Sequence, residues 1–252
     1  MFKKYNILLT ILSFLLFGCS SKTAIAKKHC DIDSPPVLSF VKVIKTIDVI
    51  SCADEKDKNC PLGKKLSSGS GMAIDLHSSA STVLTAGHVC ESGATKAIKN
   101  YTLTIEVIDH QSTIHQAWVI LSSQNDQKGS PDACILWVPT LDVEKIKVSP
   151  KAPKVGQELY YVGAPLGIYH PPTVLMFKGI FSGNVDASSA LFGVPVLGGA
   201  SGGAVLNLNN EIVGLIWGAN PYFHHASVMT SYKSFITFLR KANKRLNSKI
   251  KP

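Results

Sequence analysis

The chain has 252 residues, a formal net charge of +9, and 45% hydrophobic against 17% charged residues. This balance excludes an intrinsically disordered chain, and the length suffices for one large domain or two small ones. The basic excess does not indicate nucleic acid, because no recognisable module interleaves basic and aromatic residues. We interpret it as a solvated surface, with attraction to anionic lipid or cell-wall polymers as the alternative.

The N-terminus is typical of an export segment. Lys3 and Lys4 give a positive start, and residues 7–17 are apolar but too short to span a bilayer. The stretch ends in Leu16-Phe17-Gly18-Cys19, which resembles a bacterial lipobox and predicts lipidation of Cys19. Ordinary cleavage nearby and an uncleaved anchor remain as alternatives. We expect an exported, lipid-anchored protein of the cell envelope, in the outer membrane or periplasm, or alternatively a secreted one.

From residue 37 onward, short β-like segments alternate with turn residues, which favours an antiparallel barrel or sandwich over βαβ units. A connection rich in Pro and Lys at 148–156 separates two sets of segments. Only residues 231–246 carry a helical pattern, with Ser231 as the expected N-cap. The predicted strands are 39–44, 46–51, 69–75, 82–84, 101–108, 117–121 and 133–138, then 158–162, 173–181, 204–208, 212–217 and 226–230.

Three short motifs place a reactive residue beside an apolar strand. Ser201 lies in Gly199-Ala200-Ser201-Gly202-Gly203, where small residues allow a tight turn that exposes a nucleophile and aims backbone N–H groups at one point. His88 ends the run Thr85-Ala86-Gly87-His88, and Asp132 opens the apolar strand at 133–138. A glycine-rich hairpin with an incidental serine would explain the first motif but not the other two.

In the order His, Asp, Ser, these motifs resemble those of the chymotrypsin-like (trypsin-like, PA clan) serine proteases over about residues 38–240. The turn Gly163-Ala164-Pro165-Leu166-Gly167 resembles that of the HtrA-type branch, here without a PDZ domain. The resemblance implies an all-β fold of two antiparallel six-stranded β-barrels with a C-terminal α-helix. The implied organisation is a signal peptide with lipobox at 1–19, a tether at 20–37, an N-terminal barrel at about 38–147, a C-terminal barrel at about 155–230 and a closing helix at about 231–246.

The resemblance also implies roles for single residues. Ser201 would be the nucleophile, His88 the general base and later acid, and Asp132 the group that fixes the tautomer of the imidazole. The backbone N–H groups of Gly199 and Ser201 would form the oxyanion hole. The implied substrate-binding residues are Ile216, Trp217, Gly218 and Pro195.

The same comparison predicts substrate preference and partners. No acid lies near Pro195, and Ile216 stands where glutamyl endopeptidases place a histidine, so we expect cleavage after small or medium apolar residues. Ala200 replaces the aspartate that pairs with a freed N-terminus in many relatives, which excludes that route of activation. No metal or organic cofactor is implied. The expected partners are protein or peptide substrates and a membrane reached through the N-terminal lipid, but not nucleic acid.

Five cysteines besides Cys19 suggest disulfides, which export permits. Cys52 and Cys60 flank a charged loop, and we expect them to bond. In many relatives a cysteine near the histidine turn bonds to the preceding strand, which has none here. Cys134 is therefore a candidate partner for Cys90, with Cys30 left over, although the sequence does not fix the connectivity.

Two other functions compete with a serine endopeptidase. An α/β-hydrolase esterase shares the G-x-S-x-G pattern, but it needs an acid and a histidine after the serine, and Glu211 is the only later acid. A catalytically silent protease-fold protein that binds peptides would keep all three motifs. The remaining histidines are expected at the surface, without a third ligand at metal-site spacing: His29, His77, His110, His115, His170, His224 and His225.

Overall fold

The computed structural model describes residues 35–54, 60–78, 80–123 and 130–249, which form two β-barrels followed by a helix. Six antiparallel strands close the first barrel in the order β1-β2-β3-β6-β5-β4. A 3₁₀ turn at Val37–Ser39 precedes β1, and a single-turn helix, α1 (Gly87–Cys90), follows β3. The strands are β1 (Phe40–Cys52), β2 (Gly63–Ile74), β3 (Thr82–Thr85), β4 (Ile98–Ile108), β5 (Ile114–Ser123) and β6 (Ala133–Trp137).

The second barrel closes in the order β10-β13-β12-β11-β7-β9, because β9 also pairs with β10. The short strand β8 is added at the edge and pairs with β9. A 3₁₀ turn at Pro165–Gly167 joins β7 to β8. The strands are β7 (Glu158–Gly163), β8 (Tyr169–His170), β9 (Thr173–Asn184), β10 (Ser189–Gly193), β11 (Ala204–Leu206), β12 (Ile212–Asn220) and β13 (Phe223–Thr230). The predicted all-β fold with two six-stranded antiparallel barrels is therefore confirmed.

The C-terminal helix α2 (Tyr232–Lys249) is also confirmed. The Ser234 N–H donates to Ser231 Oγ at 3.4 Å, and the Phe235 N–H donates to the Ser231 carbonyl at 3.0 Å, so Ser231 is the N-cap. The apolar face of α2 joins the larger hydrophobic core, which includes residues of both barrels, through Phe235, Phe238, Leu239, Ala242 and Leu246. In the described part of the chain, no helix has the length and apolar character needed to cross a membrane.

Alternation along the strands fills the two barrel interiors. In β1, Val41 and Val43 are completely buried, whereas Lys42 and Ile44 between and after them are partly exposed, as the two-residue period of a strand requires. The second barrel has its own core, which includes Tyr161, stacked on Phe177 at 5.2 Å between ring centroids. This packing holds the loops that connect the strands, where the motif residues lie.

Both candidate disulfides are present. The Cys52–Cys60 bond closes the loop between β1 and β2, with 6.0 Å between the Cα atoms. The Cys90–Cys134 bond joins α1 to β6 across 6.4 Å. Cys19 and Cys30 lie outside the described residues.

The expectation of a surface position is wrong for His115. This residue is only 7% exposed, and its Nε2 lies 3.0 Å from Asp109 Oδ2 while its Nδ1 lies 2.9 Å from Thr140 Oγ1. The turn between β4 and β5 explains the burial, because Asp109 also accepts the N–H groups of Gln111 and Thr113 and so faces inward. A buried imidazole with partners at both nitrogens is a satisfied structural group.

Candidate active site

His88 and Asp132 meet where two neighbouring strands end. The residues Thr85 of β3 and Cys134 of β6 are paired, so the helix after β3 lies beside the chain that enters β6. His88 Nδ1 is 2.9 Å from Asp132 Oδ2, and the His88 main-chain N–H donates to Asp132 Oδ1 at 3.0 Å. The imidazole side chain is 42% exposed and the carboxylate only 8%. The buried carboxylate thus hydrogen-bonds with Nδ1, and Nε2 makes no hydrogen bond among the described residues.

Three contacts fix the short helix α1 that carries His88. A Cβ atom on Gly87 would lie 2.0 Å from the Ser123 carbonyl oxygen, so only glycine allows this close approach. The Cys90–Cys134 disulfide holds the end of α1 against β6. Lys45 Nζ donates to the carbonyls of His88 and Glu91, each at 2.9 Å. Burial lowers the pKa of Lys45, and the nearby charge of Glu91 opposes that effect.

The turn that holds Ser201 packs against the strand that leads to His88. Gly202 has φ of +89°, and a Cβ atom there would lie 2.1 Å from the Ser70 carbonyl oxygen and 2.3 Å from Thr85 Oγ1. The Ser70 N–H donates to the Ser201 carbonyl at 2.8 Å. These contacts bring the serine turn to the end of β3. Among the hydrogen bonds of the described residues, none joins the Ser201 hydroxyl to His88.

Two main-chain N–H groups of the same turn have no acceptor among the described residues. Neither Gly199 nor Ser201 donates a hydrogen bond within the described part of the chain, whereas Ala200 and Gly202 donate to the carbonyls of Leu197 and Ile216 at 3.1 and 2.7 Å. The Gly198 carbonyl accepts from the Leu166 N–H at 2.6 Å. Because C=O and N–H point oppositely in a trans peptide, the Gly199 N–H points away from Leu166.

The predicted substrate-binding strand has one open side. In β12, Ile216 and Gly218 pair with Met229 and Val228 of β13, whereas the pairing with β11 ends at Leu215. From residue 217 to 220, no other described strand pairs with β12 on that side. An extended peptide can add to an open strand side of this kind.

The remaining predicted substrate-binding residues are Trp217, within β12, and Pro195, in the loop after β10. Trp217 packs against the larger hydrophobic core, and its Nε1 is buried without a partner among the described residues. The Tyr161 hydroxyl donates to the Pro195 carbonyl at 3.1 Å and so fixes the main chain at Pro195. Burial raises the pKa of Tyr161, which keeps this hydroxyl neutral and able to donate. Within the described ranges, no group of three His, Cys, Asp or Glu side chains is placed to hold a metal ion.

Sequence reasoning missed two residues that support the site, Lys45 and Ser70. Lys45 falls between the predicted strands 39–44 and 46–51, which the structure joins into β1, so nothing in the pattern distinguished it. Ser70 did have a signal, because it lies between two glycines at the beginning of the predicted strand 69–75, which precedes the histidine motif.

Comparison with known proteins agrees with the fold. The family model of the trypsin-like peptidase domain matches residues 69–215. No curated protein sequence matches the chain. Among solved structures, the active form of the Rv3671c protease from M. tuberculosis has 19% identity and a TM-score of 0.60, over 82% of each chain.

A serine endoprotease from Yersinia pestis is 18% identical with a TM-score of 0.59, over 83% of this chain and 64% of that one. An inactive serine-to-alanine mutant of Rv3671c is 18% identical with a TM-score of 0.56, over 86% and 90% of the two chains. At such low identity these structures show a shared fold. Since the domain match also covers more than half of the sequence, the chain belongs to the trypsin-like peptidase family.

Proposed function

We propose that this chain is a serine endopeptidase in which Ser201 is the nucleophile, His88 the general base and Asp132 its partner. The observation that carries the proposal is the 2.9 Å contact between His88 Nδ1 and Asp132 Oδ2. A carboxylate at Nδ1 fixes the tautomer in which Nε2 holds a lone pair and accepts a proton. The position of the Ser201 turn beside β3 supports the third role.

The proposed reaction has two stages. Ser201 Oγ forms a bond to the carbonyl carbon of the substrate as His88 Nε2 takes its proton, and the negative oxygen faces the N–H groups of Gly199 and Ser201. One such donor is typically worth about 10²–10³ in rate. His88 then protonates the departing amine as the C–N bond breaks. Water, deprotonated by His88, hydrolyses the ester on Ser201, which gives the carboxylic acid and restores the serine.

The proposed substrate preference is for small or apolar side chains before the cleaved bond. Residues 195–198 and 216–218 contain no charged side chain. Val228 lies opposite Gly218, with 4.0 Å between its Cβ and the Cβ position that a side chain at 218 would have. We expect peptides with Ala, Val or Leu directly before the cleaved bond to have a kcat/KM at least about tenfold higher than that of matched peptides with Lys or Glu there.

The proposed location is the bacterial cell envelope. Two disulfides indicate a compartment outside the reducing cytoplasm. Cys19 lies outside the described residues, and its lipidation is inferred from the lipobox in the sequence. Metabolic labelling with an alkyne fatty acid should mark the wild type but not Cys19→Ala, whereas equal labelling of both would refute the assignment.

The proposed activity is tested on the purified full-length protein with a fluorescent fluorophosphonate and with peptide substrates. We expect labelling and hydrolysis by the wild type, and neither by Ser201→Ala with an unchanged melting temperature. A folded wild type that binds peptides but neither labels nor hydrolyses them would instead support the catalytically silent peptide-binding protein.

A further inference from the structure

Ser70 connects the first barrel to both turns that frame the proposed oxyanion hole. It is completely buried near the end of β2. Its hydroxyl donates to the Gly199 carbonyl at 2.8 Å and accepts the Ala164 N–H at 2.8 Å. Its main-chain N–H donates to the Ser201 carbonyl at 2.8 Å, and its own carbonyl accepts from Thr85 Oγ1 at 2.7 Å. One residue therefore binds the serine turn twice.

The two carbonyls around Gly199 are fixed by different partners. The Gly198 carbonyl accepts from the Leu166 N–H at 2.6 Å. This bond fixes the orientation of the Gly198–Gly199 peptide, which carries the Gly199 N–H. The Gly199 carbonyl accepts from Ser70 Oγ, which sets the next peptide. With φ of +92° at Gly199, the direction of its N–H depends on both contacts. Without the second contact, this peptide keeps only the 3.1 Å bond from its Ala200 N–H to the Leu197 carbonyl, so its orientation is less firmly held.

We infer that Ser70 is a positioning residue for the oxyanion hole and acts through its side-chain hydroxyl. This inference rests on the proposed function. Ser70→Ala would leave the Gly199 carbonyl and the Ala164 N–H without their side-chain partner in a buried place. The N–H groups of Gly199 and Ser201 would then point less accurately at the substrate carbonyl oxygen, which becomes negative only during the reaction. Ser70→Ala should therefore lower kcat and leave substrate binding unchanged.

The test compares full-length wild type, Ser70→Ala and Ser70→Thr, which keeps the hydroxyl. A matched control is Ser231→Ala, because Ser231 is also buried and its Oγ donates to the Ala187 carbonyl at 2.6 Å, in the cap of α2. For each protein, kcat, KM, the melting temperature and the inhibition constant of a peptide boronic acid are measured. A boronic acid forms a tetrahedral adduct with a catalytic serine and places an oxygen in the oxyanion hole.

We expect Ser70→Ala to lower kcat by about 10–100-fold with KM within about twofold, and to weaken boronate binding in parallel. Ser70→Thr should recover most of this loss, and Ser231→Ala should lower the melting temperature without changing kcat. A Ser70→Ala variant with wild-type kcat, or with a loss in kcat that boronate binding does not follow, would overturn the inference. Absence of hydrolysis by the wild type would instead overturn the proposed function beneath it.

Discussion

Lys45 and His88 are joined across the first barrel, because the ammonium group of Lys45 donates to the main-chain carbonyl of His88 at 2.9 Å. The same ammonium reaches the Glu91 carbonyl at 2.9 Å, so it satisfies two carbonyl groups at the end of α1. The helix is a single turn and makes few bonds of its own. Its orientation, and with it that of the imidazole, therefore depends on such outside contacts.

Lys45→Met should lower kcat on the order of tenfold, because methionine fills the space but donates no hydrogen bond to α1 and so leaves His88 less well placed. KM should stay close to that of the wild type, since Lys45 lies beneath the helix and not at the open strand. The measurement is steady-state hydrolysis of a peptide by both proteins. Lys145→Met is the matched control, because Lys145 Nζ donates to the Ala80 carbonyl at 2.9 Å on another part of the barrel. Equal losses in both variants would contradict a specific role.

Asp132→Asn should reduce kcat on the order of 10⁴-fold, a magnitude known for this change in a serine-protease triad. The carbonyl oxygen of the introduced side-chain amide can still accept the His88 main-chain N–H, so the NH₂ group of that amide turns toward Nδ1. An N–H donor there favours the tautomer with the proton on Nε2, which cannot accept a proton from Ser201. Hydrolysis and fluorophosphonate labelling measure the loss. A decrease of less than tenfold would show that Asp132 does not control the imidazole.

The strand pattern and the three motifs predicted most of the fold from the sequence. The alternating segment 101–108 became part of β4, in which the burial alternates from Ile105 to Ile108. The apolar run 133–138 became β6, which is buried on both faces. The sequence did not predict residues 63–68 as part of β2, since lysine, serine and glycine have weak strand preference. These residues are strand only because they pair with β1, from Gly63 opposite Val49 to Ser68 opposite Ile44. Such long-range pairing is invisible in a local pattern.

The site was predictable only where chemistry has a local signature. His88 and Asp132 belong to short motifs, and the structure places them 2.9 Å apart. Ser70 and Lys45 lie far along the chain from the groups they contact, so no spacing connects them to Gly199 or His88. His115 was misplaced for a related reason. Its partners Asp109 and Thr140 come together only when β4 and β5 pair and the segment after β6 lies beside them.

The two disulfides should differ in their contribution to stability. In the chain-entropy estimate, the Cys90–Cys134 bond, which spans a sequence separation of 44, contributes about 4 kcal/mol. The Cys52–Cys60 bond spans 8 residues and contributes about 2.5 kcal/mol. Urea unfolding of the two Cys→Ala double variants measures both values. The variant without the Cys90–Cys134 bond should also lose activity before it unfolds, because this bond joins α1 to the strand after Asp132. Equal stability of the two variants would contradict this ranking.

The buried pair of Asp109 and His115 should make stability depend on acid pH. Burial of the Asp109 carboxylate opposes its ionisation, but hydrogen bonds from His115 and from the N–H groups of Thr113 and Gln111 outweigh burial and lower its pKa. A carboxyl with a lowered folded pKa contributes stability above its unfolded pKa of about 3.9 and loses it as the pH falls through the folded pKa. Asp109→Asn should therefore cost about 1–3 kcal/mol at pH 7, and the difference from wild type should shrink below about pH 4.

Urea unfolding of wild type and Asp109→Asn at pH 7, 5 and 3 measures this difference. At pH 7 the variant should keep the kcat of the wild type, because Asp109 pairs with His115 at 3.0 Å and makes no contact with His88. Asp109→Asn thus also serves as the control for Asp132→Asn, since each removes a carboxylate from a histidine. A stability difference that stays constant down to pH 3 would show that the carboxylate charge is not what stabilises the β4–β5 turn.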